Sequence, residues 1–282
     1  MIEYIKIAIA SFISAIFAPL PVSSSAHFSF LDYITEFSSD NVPIGFYFSI
    51  VSIIASLGML SYVRKIHARS ITSVFKNKQS KKSKAYKTVI INTLISLLGA
   101  AIMFIPYSKE KLLFDIYDYN LDGGSLLTSA FCCFASGFVL IIAIWFSKQR
   151  SANKRRTAKK TDALRLTLYQ VPANFFPGFS HMANGATSLI VSNLDENVIM
   201  RELYLYIAPP ALLLNIARLC SYVIRGITVD PIAIVVCVIF ALLGCIVMFP
   251  LISKANVRKT FKFFAVYSII FGIFMITASF II

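Results

Sequence analysis

Long apolar stretches constrain the fold of this chain more than any other feature of its sequence. A helix needs roughly 20 residues to cross about 30 Å of hydrocarbon. Hydrophobic residues form 57% of the chain and charged residues 14%, whereas soluble domains average about 45–50% and 25%. We therefore predict an all-α integral membrane protein. The predicted spans are 44–63, 88–107, 125–146, 203–222, 231–252 and 261–282.

Two other apolar stretches, 4–27 and 163–192, are interrupted by proline and by small polar residues. Proline removes a backbone donor and disrupts a continuous helix. Irregular backbone at membrane depth is tolerated only where protein or a water-filled cavity covers it. We therefore predict that these two stretches are broken segments beside a polar site.

The charged residues are distributed unevenly between the loops. Lys and Arg number 27 against 13 Asp and Glu, and the basic residues concentrate in 64–87, 148–160 and 253–260, which the positive-inside rule places in the cytoplasm. The stretch 28–43 holds three acidic residues and no basic one, so we expect it outside. Because the positive charge is confined to short loops between spans, nucleic acid is excluded as a partner.

This orientation divides the chain into two halves that run in opposite directions. We predict a first repeat at 1–147, a basic cytoplasmic linker at 148–161 and a second repeat at 162–282. Residues 161 and 203 must both lie inside, so 163–192 must form a re-entrant hairpin, and symmetry assigns the same form to 4–27. Such an inverted-topology repeat places a ligand site near the midplane, where the hairpins meet.

Hydroxyl groups and a histidine follow the prolines in both broken segments. Hydroxyls and free backbone N–H groups at a helix N-terminus suit a phosphate, and imidazole can donate to it or transfer protons. The alternative is that the hydroxyls cap helices and the histidines satisfy freed carbonyls. The candidate site residues are Ser23, Ser24, Ser25, His27, Gly178, Ser180, His181 and Thr187.

At these residues the chain resembles the undecaprenyl-diphosphate phosphatase (bacitracin-resistance) family. Leu20-Pro21-Val22-Ser23-Ser24 and His27 match its motif ExxxEFLPVSSTGH, and Pro177-Gly178-Phe179-Ser180 match its motif PGxSRSGxT. The resemblance implies a multi-pass protein of the bacterial plasma membrane. It also implies a hydrolase that releases phosphate from the polyprenyl lipid carrier of cell-wall peptidoglycan synthesis.

The resemblance also implies roles for the candidate residues. Ser24 would be the nucleophile or a phosphate ligand, and His27 the acid/base. Thr187 matches the motif threonine only with a two-residue insertion, because without a gap that position falls on Gly185. The residues implied to bind the substrate phosphate are Ser23, Ser25, Gly178, Ser180, His181 and Thr187.

The chain departs from the family at residues implied to be essential. Ser14 and Ala18 stand at the positions of the two motif glutamates, and His181 stands at that of the motif arginine. The family uses a divalent cation such as Mg²⁺ or Ca²⁺, which prefers carboxylate ligands. The predicted spans hold no Asp or Glu in their interior, so we expect no metal cofactor.

Two functions therefore stay open, with an unrelated solute carrier as a third. One is a divergent phosphatase acting on a polyprenyl diphosphate, with hydrolysis weakened or lost. The other is a transporter or binding protein that holds a polyprenyl phosphate without hydrolysis. Arg218 lies in an apolar span near its outer end; we interpret it as snorkelling to the interface, and compensation for the motif arginine is the alternative. Association into a homodimer is left open.

Overall fold

The computed structural model describes residues 2–37, 42–75, 81–108, 111–122, 126–149, 159–194, 196–254 and 257–281. These residues form eleven α-helices, a short 3-10 helix at Ile102–Phe104 and a two-stranded ribbon. The helices are α1 Ile2–Phe17, α2 Ser24–Thr35, α3 Ile44–Phe75, α4 Lys81–Ala101, α5 Phe114–Asp122, α6 Leu126–Gln149, α7 Lys160–Phe175, α8 His181–Val191, α9 Glu196–Ile224, α10 Pro231–Lys254 and α11 Val257–Ile281. The strands are β1 Pro106–Ser108 and β2 Lys111–Leu112, paired antiparallel.

Six of the described helices are long and apolar enough to cross a membrane, which confirms the prediction of an all-α integral membrane protein. Their bounds differ from the predicted ones by a few residues at most ends. The span in α9 begins at Ile199 rather than at residue 203, so the buried Glu202 lies within it, beside Arg201 at 2.7 Å. The membrane-spanning stretches are Ile44–Arg69, Lys87–Phe104, Leu126–Ser147, Ile199–Ile224, Pro231–Pro250 and Thr260–Ile281.

The first broken segment forms two helices joined by a turn. α1 ends at Phe17, where Pro19 and Pro21 lack the N–H groups that a further turn would need. α2 then runs from Ser24 to Thr35, and Glu36 ends it in the left-handed conformation with φ 48°. The segment is therefore longer than the predicted 4–27, and residues 28–35 are helical instead of belonging to an outer loop.

The second broken segment has the same form. α7 ends at Phe175, just before Pro177, and α8 begins at His181. Residues 176–180 make the connection, and Gly178 adopts a positive φ of 97° there. We call α1–α2 the first hairpin and α7–α8 the second hairpin.

The two hairpins pack on corresponding helices of the two halves. α1 lies against α10 and α7 lies against α4, while α3 packs on α9 and α6 on α11. Gly244 allows the first of these approaches, since a Cβ there would meet Phe12 O at 2.6 Å. This arrangement agrees with an inverted repeat, but the repeat, its cytoplasmic linker and the sidedness of the loops stay predictions.

A helix that the sequence reasoning missed lies between the second and third spans. The β-ribbon follows the 3-10 helix and leads into α5, whose Phe114, Tyr117 and Leu121 are buried. The predicted span 88–107 therefore ends earlier, at Phe104. α5 packs against α3, α7 and α9, which brings its polar residues beside those of α9.

Candidate functional site

Ser23 and Ser180 are the N-cap residues of α2 and α8, and they have the same backbone geometry. Ser23 is extended, with φ −87° and ψ 106°, and its Oγ accepts from the Ala26 N–H at 3.1 Å. Ser180 is extended too, with φ −85° and ψ 119°, and its Oγ accepts from the Ala183 N–H at 3.0 Å. Serine is favoured at this position because its hydroxyl satisfies a donor that the first turn leaves unpaired.

The two helix starts are tied directly to each other. The Ser180 hydroxyl donates to the Val22 carbonyl at 2.7 Å, and the Gly178 N–H donates to Ser25 Oγ at 2.9 Å. The Ser180 N–H also donates to Ser136 Oγ on α6 at 3.0 Å. The N-termini of α2 and α8, with their partial positive charge, therefore meet at one place in the protein.

Gly178 is required at this junction by both its conformation and its surroundings. Its φ of 97° lies in the region that other L-residues rarely adopt. A Cβ there would stand 2.2 Å from Ser129 O and 2.8 Å from Cys132 Cβ of α6. Its N–H donates to Ser25 Oγ and so helps to join the hairpins, while the implied role of Gly178 in phosphate binding stays a prediction.

A cavity of about 100 Å³ lies beside the junction, among α3, α4, α9 and the two hairpins. This is room for several waters, each of which needs at least about 10–15 Å³, or for a group of phosphate size. None of the described residues that line it is Asp or Glu. The polar side chains in its wall are Ser24, Ser25, Ser52, Ser56, Ser96, Thr167, Gln170, Asn174, Ser180, His181, Asn215 and Arg218, with Tyr117 and Tyr206.

His181 lines this cavity and is oriented by one glutamine. The Gln170 amide Nε2 donates to the His181 carbonyl at 2.8 Å, and Gln170 Oε1 lies 2.6 Å from His181 Nδ1. Because Oε1 can only accept, Nδ1 carries a proton, and in the neutral ring Nε2 keeps its lone pair. His181 can therefore take a proton at Nε2, or donate from it when the ring is charged.

His27 has different surroundings, so the two candidate histidines do not line the same cavity. Its ring is stacked between Phe17 and Phe271, with centroids 3.9 and 4.1 Å away. Nδ1 is bonded to the Ser23 carbonyl at 2.5 Å, and Nε2 to the Tyr267 hydroxyl at 2.7 Å. His27 is 4% exposed and is not among the described residues that line the cavity. Its contacts suit a residue that holds α2 against α11 rather than an acid/base.

The remaining candidates divide between the cavity and the core. Ser24 and Ser25 line the cavity, and Ser24 is the least buried of the three consecutive serines. Ser23 is used as a cap and bonds to Ser25 Oγ at 3.1 Å. Thr187 is 2% exposed in α8, outside the described cavity wall, and its hydroxyl has no partner among the described residues. The structure therefore leaves Ser24, Ser25, Ser180 and His181 at the cavity.

Among the polar residues of the cavity wall that were missed or misread from the sequence, four form two pairs. Gln170 and Asn174 lie four residues apart on α7, and Asn215 and Arg218 lie three apart on α9. Residues at these spacings share one face of a helix, so polar pairs within apolar helices were a usable signal. Arg218 is 4% exposed in the cavity wall, which makes the snorkelling interpretation wrong.

The donor set does not fit a divalent cation. The part of the chain that the structure describes contains no group of three or more His, Cys, Asp or Glu able to hold one. Ala18, at the position of a motif glutamate, contributes only a methyl group to the cavity wall. Hard cations need several oxygen ligands, preferably carboxylates, and the serines here are neutral. The described wall of this cavity therefore does not supply the ligands that the family's cation would need.

Comparison with known families identifies the chain. Residues 7–274 match the family described as "Bacitracin resistance protein BacA". The chain belongs to the BacA family. BacA proteins are undecaprenyl-diphosphatases, which agrees with the resemblance in the two motifs. No curated protein matches the chain. The BacA match and the six apolar helices together establish a multi-pass membrane protein.

Proposed function

We propose that this chain binds the phosphate or diphosphate head group of a polyprenyl lipid carrier in the cavity between the hairpins. The observation that carries the proposal is the meeting of two helix N-termini, through Val22–Ser180 and Ser25–Gly178 bonds, beside that cavity. Helix N-termini attract anions through their unpaired N–H groups and their dipole. Family membership supplies the lipid.

The charge of the cavity wall supports an anionic ligand. His181 and Arg218 provide the groups that can be cationic, and serine hydroxyls provide further donors. A carboxylate in the wall would repel a phosphate unless a metal stood between them, and the described wall has none. Binding should therefore survive a chelator.

Hydrolysis of the diphosphate is the second candidate function, and the family favours it. Ser24, half-buried in the cavity wall, is then the nucleophile, and His181 replaces His27 as the group that can accept its proton. Phosphoryl transfer depends mostly on positioning and electrostatic stabilisation. Loss of one such stabilising donor typically costs about 2.7–4 kcal/mol of barrier. Without carboxylate-bound metal we expect phosphate release at least about 100-fold slower than by a BacA protein with both motif glutamates.

The test uses the purified full chain in detergent with long-chain polyprenyl monophosphate and diphosphate. We expect saturable binding of both lipids in EDTA, and slow phosphate release that Mg²⁺ or Ca²⁺ does not stimulate. The matched control is the neutral polyprenol of the same length, which should not compete. Equal competition by the polyprenol would contradict head-group recognition, and rapid metal-stimulated release would make the chain an ordinary phosphatase.

A further inference from the structure

An arginine is buried in the wall of the cavity at some distance in sequence from either hairpin. Arg218 of α9 is 4% exposed and lines the cavity. It is the one permanently charged residue among the described residues of that wall. A buried charge is costly unless it is paired, so its partners should explain why it is there.

The partners of Arg218 come mainly from α5. Arg218 Nε lies 3.3 Å from Asp118 Oδ1, and the guanidinium carbon stands 4.2 Å from the centre of the Tyr117 ring. On its own helix, Nη1 donates to Asn215 Oδ1 at 3.4 Å. Tyr117 and Asn215 line the cavity too. The pairing and the ring contact therefore hold the guanidinium at the cavity wall.

Part of the donor capacity of Arg218 has no partner among the described residues. A guanidinium has five N–H donors, and both polar contacts are at the long end of hydrogen-bond distances. Nε, although close to Asp118, makes no hydrogen bond among the described residues. Arg218 lines the same cavity as His181, the first residue of α8. A buried cation with unused donors thus adjoins the helix N-termini.

We propose that Arg218 is the residue that binds a phosphate group of the ligand in this cavity, with Asp118 as the counter-ion that balances its charge while the cavity is empty. This inference rests on the proposed head-group function. Arginine suits the role because its planar fork matches two phosphate oxygens at once. On binding, the guanidinium exchanges part of its contact with Asp118 for the phosphate. Asp118 therefore keeps the empty site folded and competes with the ligand.

The effect of Asp118→Asn on ligand affinity distinguishes a phosphate-binding Arg218 from one that forms a purely structural ion pair. If Arg218 binds the ligand, Asp118→Asn removes a competing negative charge and should tighten binding. If the pair only joins α5 to α9, the same change should weaken the fold and leave affinity unchanged or lower. Asp118→Asn keeps Arg218 itself in place, so it stays informative even where removal of the arginine disturbs folding.

The experiment measures binding of pyrophosphate and of a 15-carbon polyprenyl diphosphate to the full chain in detergent with EDTA. Asp118→Asn should lower the Kd severalfold. Arg218→Gln combined with Asp118→Asn should raise it about tenfold or more, the effect of losing a charge-assisted hydrogen bond. The Kd of Arg218→Lys should fall between those of wild type and this double variant, because lysine keeps the positive charge and lacks the planar guanidinium that contacts two phosphate oxygens.

The matched control is a second ion pair of α5. Arg225, just after the end of α9, pairs with Asp115 of α5, and neither residue belongs to the described wall of this cavity. Arg225→Gln with Asp115→Asn should change the Kd less than twofold. Equal affinity in the Arg218 double variant and wild type, or no gain in Asp118→Asn, would overturn the assignment of Arg218. Failure of wild type to bind either probe would instead overturn the proposed function.

Discussion

The first and second hairpins share a sequence pattern but place their histidines in different surroundings. In each, a turn that contains proline follows one helix, a serine caps the next, and a histidine lies within its first turn. His27 is stacked between two phenylalanines with both ring nitrogens bonded, whereas His181 lines the cavity and is oriented through one nitrogen by Gln170. His27 is the fourth residue of α2 and His181 the first of α8, so the two histidines occupy different positions relative to their caps and face different surroundings.

The largest expected loss of stability follows substitution of Gly178 in the second hairpin. Gly178→Ala adds a Cβ at 2.2 Å from a backbone oxygen and forces an unfavourable φ. We expect a loss of about 5 kcal/mol of stability, combining strain with overpacking. Thermal unfolding in detergent measures it. Gly226→Ala is the control, because Gly226 has φ 76° in open space and should lose only about 1 kcal/mol.

The comparison of the two histidines predicts unequal losses of stability when each is removed. His27→Ala leaves a cavity between Phe17 and Phe271 and frees two buried partners, so we expect a loss of about 3–5 kcal/mol. His181→Ala loses mainly its bond to Gln170 and should cost about 1–2 kcal/mol. The free energies of unfolding of the two variants, measured under one protocol, test this difference. Equal losses would remove the distinction between a packed and a cavity histidine.

Removal of the two capping serines should cost different amounts of stability, because Ser180 also joins the two hairpins. Ser23→Ala removes a cap and should cost about 1 kcal/mol. Ser180→Ala removes a cap and the bond to the buried Val22 carbonyl, so about 2 kcal/mol is expected. Ser180→Thr, which keeps a hydroxyl, is the control in the same unfolding assay. A larger loss in Ser23→Ala than in Ser180→Ala would contradict this account of the junction.

The smallest expected effect is the change in ligand affinity when a carboxylate is introduced at Ala18, the position of a motif glutamate. Ala18→Glu places a negative charge in the cavity wall and should weaken polyprenyl phosphate binding in EDTA about three- to tenfold, roughly 0.7–1.4 kcal/mol. Mg²⁺ or Ca²⁺ should reverse the loss, because the new carboxylate can bind the cation. Ala18→Gln, similar in size and neutral, should show no metal dependence. A glutamate variant that behaves like the glutamine variant would show that this wall does not face the ligand.

The spans and breaks could be predicted because they follow from local properties. Apolar length fixed six helices to within a few residues at most ends, and Pro19, Pro21 and Pro177 mark where helices stop. The role of His27 could not be predicted, since its partner Tyr267 lies 240 residues away in the chain. Arg218 was misread because Asp118 belongs to α5, a short helix without a strong apolar signal. Polar pairs at helical spacing, such as Gln170 and Asn174, were present in the sequence and unused.

The central claim is that head-group binding takes place at the cavity and therefore depends on the second histidine and not on the first. The most direct test is the Kd for polyprenyl monophosphate, in EDTA, of wild type, His181→Ala and His27→Phe, the last of which keeps an aromatic ring between Phe17 and Phe271. We predict that His181→Ala weakens binding by about 1.5–3 kcal/mol, the range for a hydrogen bond to a charged group, because the ring, charged in the complex with phosphate, donates from Nε2. We also predict that folded His27→Phe binds within twofold of wild type. Loss of binding in His27→Phe with full affinity in His181→Ala would contradict the account.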